Sequence, residues 1–285
     1  MIAAALLPLV AALSAPPPAT STNSLGIQLV LIQPGHMQEA VFQPVCPTET
    51  DPAVTPQPGT VVDPRILWSP ADLALCQKLA QQDASSGFPV TIAKPFYIGK
   101  FEITQSEWRA VMGNNPSVFG GNKVTDDASR HPVDNVSWDD AQAFIKNLNQ
   151  IENTHAYRLP TEFEWEYAGR AGGPGQVGWN DIRRQAVQGA RATANGLPPT
   201  TQMVGSKLPN AWGLCDMLGN VWEWVEDYYN EKTFPDPIPP MRGTQHVLKG
   251  AGFVSDVKND IYATHGAGPA DRWDVGFRIV KDVSQ

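Results

Sequence analysis

The segment NAWGLCDMLGNVWEWVEDYY, residues Asn210 to Tyr229, carries two of the chain's nine tryptophans, Trp222 and Trp224, with Glu223 between them. Just upstream, Gly219 and Asn220 form a pair that accepts positive backbone angles and marks a tight reversal. The alternation of Val221, Glu223 and Val225 with Trp222 and Trp224 predicts a short strand with both faces occupied. Aromatics on one face build a core, so the carboxylate between them must point to water or to a cation. Asp216 and Glu223 flank the turn, and both could reach one ion, with turn carbonyls completing an oxygen shell of the kind calcium takes. The competing reading has Glu223 capping a turn or pairing with an arginine.

Outward from this segment, the patterns predict short elements separated by turns. The 24 glycines and 26 prolines among 285 residues imply many loops and modest helix content. IQLVLIQPG, from Ile27, reads as a strand ending at Pro34-Gly35. VTIAKPFYIGKFEI, from Val90 to Ile103, alternates like paired strands broken at Gly99. Pro70 to about Gln82 predicts a helix. Thr104 and Glu107 form a capping box ahead of Trp108, Val111 and Met112. Ser137 caps a second helix with an acidic first turn and Ala141, Phe144, Ile145 and Leu148 on one side. Thr161 precedes the acids of EFEWE, residues 162–166, in a third. Towards the C-terminus, HVLKGAGFV and WDVGFRIV read as strands on either side of a Gly/Pro/Asp loop. Arg278 sits among apolar neighbours, which predicts pairing with a buried carboxylate.

Composition bounds the function. Apolar residues make up 42% and charged residues 18%, as in a globular domain of one core or two. The net charge of −8, without a basic cluster, argues against nucleic acid or an anionic membrane as the main partner. Residues 1–20 read as a signal peptide: MIAAALLPLVAAL is apolar, too short to span a bilayer, and followed by a small-residue cleavage pattern, though without a basic start. A periplasmic or secreted location follows, with no transmembrane segment. Of the three cysteines, Cys46 and Cys76 flank a Pro/Thr-rich loop inserted at about 44–88 and would pair in an oxidising compartment, leaving Cys215 single. Otherwise these are three unrelated buried thiols.

PFYIGKFEIT, HPVDNVSWDDAQAF, RLPTEFEWEYAGRAG, GLCDMLGNVWEWVEDYY, VLKGAGF and GFRIV occur here in the order found in formylglycine-generating-enzyme (sulfatase-modifying factor) domains, which the chain resembles from about Gly26 to Lys281. The resemblance implies one α+β domain over residues 21–285, loop-rich, related to C-type lectins and low in regular secondary structure. It implies a structural calcium site in which Asp216 and Glu223 give side chains and Gly219 and Val221 give carbonyls; the family usually has Asn where Asp216 stands. A second family calcium site matches Ala194-Asn195-Gly196, but its carboxylate-bearing half is shortened here.

The catalytic segment departs from the family pattern. Sulfatase activation uses two cysteines in the stretch matching Gly250 to Thr264, and gapless registration places Ser255 and Asp260 there. Neither is a soft ligand suited to cuprous copper. Family members that use iron depend on a histidine cluster, whereas His36, His131, His155, His246 and His265 are scattered, so the sequence names no redox metal. The segment's polar residues give the candidates: Ser255, Asp260 and His265 for chemistry, and Asp256, Tyr262 and Arg272 for ligand contact. Asp and His close together suit acid/base work, or they hydrogen-bond a ligand, or they solvate a loop. Two functions stay open. One is an oxidative maturation enzyme acting on a secreted peptide or siderophore-type precursor, as in the family's pyoverdine-maturation branch. The other is a non-catalytic module holding a ligand or partner protein in the same cleft.

Overall fold

A computed structural model describes residues 19–42, 74, 78, 85–173, 184–187, 199–230, 238–255, 262–268 and 273–283. Among the described residues, eleven short strands and three α-helices are joined by turns. β1 (Thr20–Thr22), β2 (Gln28–Ile32), β5 (Phe96–Gly99), β11 (Val280–Asp282) and β6 (Tyr157–Arg158) form a sheet in the order β1-β2-β5-β11-β6. A second sheet runs β10 (Val275–Gly276), β7 (Trp222–Tyr228), β8 (His246–Lys249) and β9 (His265–Ala267), with β10 parallel to β7. β3 (Gly35–Phe42) and β4 (Ser85–Ile92) pair only with each other. This mixed, loop-rich α+β architecture is the one expected.

The helices begin where their caps predict. α1 (Gln105–Met112), α2 (Trp138–Ile151) and α3 (Glu162–Arg170) each open on a reciprocal capping box, formed by Thr104 with Glu107, Ser137 with Asp140, and Thr161 with Glu164. Each cap satisfies amides that the first helical turn cannot pair internally. Ala74 and Lys78 are helical, as expected for the stretch from Pro70; the rest of that stretch lies outside the described residues. So do residues 1–18 of the expected signal peptide, Cys46, Cys76 and Ala194 to Gly196, whereas Thr20, the last residue of that expected segment, begins β1.

One sequence expectation needs correction. The run from Val90 to Ile103 is not a hairpin: it contains β4 and β5, which pair with different partners. The break falls before Pro95, which has no N–H to give a ladder. β4 joins β3, while Ile98 of β5 lies opposite Val30 of β2 and Val280 of β11.

Two apolar cores hold the sheets and helices together. In one, Trp108 stacks on Phe144 with ring centroids 5.5 Å apart, and Phe277 meets both edge-on. The other gathers Phe96, Ile98, Trp165, Val225 and Val247. Where ladders are absent, side-chain amides take over. Asn210 donates through Nδ2 to Ala168 O (2.9 Å) and Gly169 O (3.0 Å) at the end of α3. Its Oδ1 accepts from the amides of Trp212 and Leu214.

Candidate functional site

The turn ahead of β7 is built from left-handed residues. Asp216, Gly219 and Asn220 have φ of 56°, 80° and 59°. A Cβ on Gly219 would lie 2.2 Å from Val187 O, so only glycine fits there. Asn220, fully buried, donates to Glu102 Oε2 at 2.6 Å, while the amide of Val221 donates to Glu102 Oε1 at 3.2 Å. Asp216 Oδ2 accepts from the amide of Gly205 at 2.6 Å. Its other oxygen, Oδ1, is buried with no hydrogen-bond partner among the described residues.

Glu223 is fully buried rather than turned to water, and it meets an arginine, the competing reading of the sequence. Arg278 Nε donates to its Oε2 and Nη2 to its Oε1, each at 2.6 Å, and Trp165 Nε1 adds a bond of 2.8 Å. The expected role of Arg278 is therefore the observed one. Three buried carboxylates, Glu102, Asp216 and Glu223, share this single guanidinium. Burial, then mutual repulsion, pushes the Glu102 carboxyl well up; burial likewise raises Asp216, to about 6. An excess of negative charge and an orphaned carboxylate oxygen beside a left-handed turn suit a hard divalent cation. Glu223 retains acceptor capacity beyond the guanidinium bonds, since a carboxylate offers about four lone-pair sites. Among the described residues no three His, Cys, Asp or Glu side chains converge as a metal site. An ion here would take its remaining oxygens from backbone carbonyls such as those of Gly219 and Val221.

The cleft residues are dispersed. Ser255 Oγ accepts from the amide of Gly252 at 2.9 Å and closes the turn after β8. Tyr262 is buried and donates to Gln185 Oε1 at 3.5 Å. Asp256, Asp260 and Arg272 lie outside the described residues. His265, on β9, places Nδ1 2.9 Å from Glu162 Oε1, and both side chains are nearly buried. Cys215 is buried too, and burial with the neighbouring Asp216 pushes its thiol up to about 11, far from a reactive thiolate.

His265 belongs to a buried network that sequence reasoning had not assembled. Lys249 Nζ lies 3.5 Å from Glu162 Oε1 and 3.1 Å from Glu166 Oε2, beneath the ring of Trp165 at 5.7 Å. Arg170 bonds Glu166 and reaches Glu39 Oε2 at 3.1 Å. Burial alone would discharge Lys249, but Glu166 and Glu162 outweigh it and hold the ammonium charged. Burial would also neutralise Glu162, and Lys249 and His265 overcome that. Part of the signal was present: residues 162, 166 and 170 recur every four positions, which puts their charges on one helix face. Three surface cavities, of about 850, 710 and 330 Å³, lie elsewhere; none of these three is lined by Ser255, Tyr262 or His265.

Residues 72–283 match the family described as Sulfatase-modifying factor enzyme 1-like domain. The chain is 28% identical over 274 residues to the Chaperone protein LppX of Paenibacillus barcinonensis, an alignment covering 74% of this chain and 89% of that protein. It is 34% identical over 171 residues to a Formylglycine-generating enzyme of Streptomyces coelicolor, covering 53% of this chain and 49% of the enzyme. The chain thus spans about half the length of that enzyme. Among solved structures, Treponema denticola variable protein 1 matches with a TM-score of 0.68 at 23% identity, over 94% of this chain and 100% of that one. PvdO from Pseudomonas aeruginosa matches with a TM-score of 0.67 at 20% identity, over the same shares of 94% and 100%. At such identities the two structures speak for the fold.

Proposed function

Because the chain belongs to the sulfatase-modifying factor enzyme 1-like family, we propose that it is an exported member working as a binding module for a secreted peptide or partner protein. The observation carrying this reading is the internal engagement of the residues on which chemistry would rest. His265 is tied to Glu162, Ser255 Oγ holds a turn, and the Cys215 thiol is buried. The relative matched over 89% of its own length is named a chaperone, which favours recognition of another polypeptide. The leader-like N-terminal residues support export, and among the described residues no helix is long and apolar enough to cross a membrane.

A second reading is oxidative maturation of a secreted peptide or siderophore-type precursor. The pair of Glu162 and His265 favours it, since a carboxylate that fixes an imidazole is an acid/base arrangement. In either case we assign a structural calcium ion to Asp216, Glu223 and the carbonyls of Gly219 and Val221. The orphaned Asp216 Oδ1 and the surplus of buried carboxylates support that assignment.

The test uses exported peptides and proteins encoded beside the gene, titrated calorimetrically against the purified chain and then weighed by mass spectrometry. Binding with unchanged mass supports the module. A mass change that disappears in His265→Ala favours the enzyme, and no binding to any of them removes both readings.

A further inference from the structure

Among the described residues, Glu39, Glu162 and Glu166 meet two permanent cations, Arg170 and Lys249, inside one buried network. Unbalanced charge at such a depth is costly, so the network must hold one further proton. Its placement follows from the contacts. Glu166 touches both cations, and Glu162 touches Lys249 and His265. Of these two cations Glu39 touches Arg170 alone, on the same nitrogen, Nη2, that Glu166 occupies. Two carboxylates crowding one donor repel, whereas a proton on the less supported one turns the repulsion into a hydrogen bond. We infer that Glu39 docks as the neutral acid, so that one proton helps fasten the β3–β4 hairpin to α3 and alkaline solution loosens it.

The groups facing Glu39 agree with this. α3 presents Glu162, Glu166 and Arg170, β8 presents Lys249, and β9 presents His265 through Glu162; on β4 the residue opposite Glu39 is Phe88. Burial first, then Glu166, raises the Glu39 carboxyl from 4.5 to about 8, against the opposing pull of Lys249 and Arg170. A carboxyl raised on docking contributes stability that is complete below pH 4.5 and is lost as pH climbs through about 8. Other contacts of the hairpin do not titrate in that range, among them Arg170 Nη1 on Gln38 O, Phe88 against Phe163 at 5.9 Å, and Gly35 above the Tyr167 hydroxyl, whose own value burial raises from 10.0. The device does not depend on whether the protein binds or transforms its ligand.

Hydrogen–deuterium exchange of the full chain, corrected for intrinsic rates, tests it between pH 6 and 9.5. Protection of the β3–β4 amides is expected to fall by up to about tenfold per unit from pH 6 to about 8 and to level off above that, while the β7–β8 amides hold. Glu39→Gln, which keeps a donor for Glu166 and an acceptor for Arg170, should flatten that dependence. Equal loss in wild type and Glu39→Gln, or no loss in wild type, overturns the inference; so does a dependence that vanishes only in His265→Gln. If Glu39→Gln fails to fold, the carboxyl carbon of Glu39 followed by NMR in the wild-type protein decides, and a midpoint below pH 5.5 rejects the proposal.

Discussion

Arg278 grips both oxygens of Glu223, Nε and Nη2 each donating at 2.6 Å, with neither side chain reachable by water. Its remaining nitrogen donates to Gly99 O, and Nη2 also reaches Cys215 O, so one guanidinium joins β7 to β5 and to the loop before the turn. Breaking such a pair from one side strands a buried charge. Arg278→Met is therefore expected to destabilise the protein by about 3–5 kcal/mol in urea unfolding, and Arg278→Met with Glu223→Gln by less. A single-variant loss under about 1 kcal/mol would mean that the pair does not organise this core.

Calcium binding to the turn makes its own prediction. Unfolding followed at rising calcium should show stability growing as the logarithm of concentration, about 2.7 kcal/mol when the ion is at a hundred times its dissociation constant. Asp216→Ala should abolish the calcium-dependent gain, whatever the chelated variant loses with the bond from the Gly205 amide. Indifference of the wild-type midpoint to calcium and to chelator would remove the ion from the account.

Two glycines separate strain from collision. Gly213 and Gly219 both have positive φ, but a Cβ on Gly213 meets nothing within 4 Å, whereas one on Gly219 meets Val187 O at 2.2 Å. Gly213→Ala should cost about 1–2 kcal/mol from backbone strain alone. Gly219→Ala should cost clearly more, because backbone must shift to admit it. Equal losses by thermal melting would show that the Val187 contact yields freely.

The thiol of Cys215 should be slow to alkylate. It is 5% exposed, and its raised proton affinity leaves little thiolate at pH 8. Mass spectrometry of the peptide containing it should show labelling by iodoacetamide only after denaturant is added. Rapid native labelling would refute its burial.

Local chemistry was legible in the sequence, and distant pairing was not. Thr104, Ser137 and Thr161 announce their helices because a cap and its reciprocating acid lie three residues apart, within reach of one turn. The Glu223 strand and the buried role of Arg278 were visible from alternation and apolar neighbours. By contrast, Glu39 and Arg170 are separated by 131 residues, and no periodicity connects them. β4 misled because alternating apolar residues specify a strand but not its partner. Of the predicted site residues, Ser255 and His265 for chemistry and Tyr262 for ligand contact were found in separate contacts, since a polar composition does not say which side chains the turns will occupy first.

Asn210 uses every hydrogen-bonding position of its amide, two donors on the carbonyls ending α3 and one oxygen shared by two backbone amides. Conversion to aspartate, the slow hydrolysis that side-chain amides undergo in storage, would delete both donors. It would also set an anion against the electron-rich end of a helix. Asn220, with its own three bonds to Glu102 and Gln202, is exposed to the same fate. Two buried side-chain amides thus stand where a carboxylate would face a helix end or Glu102.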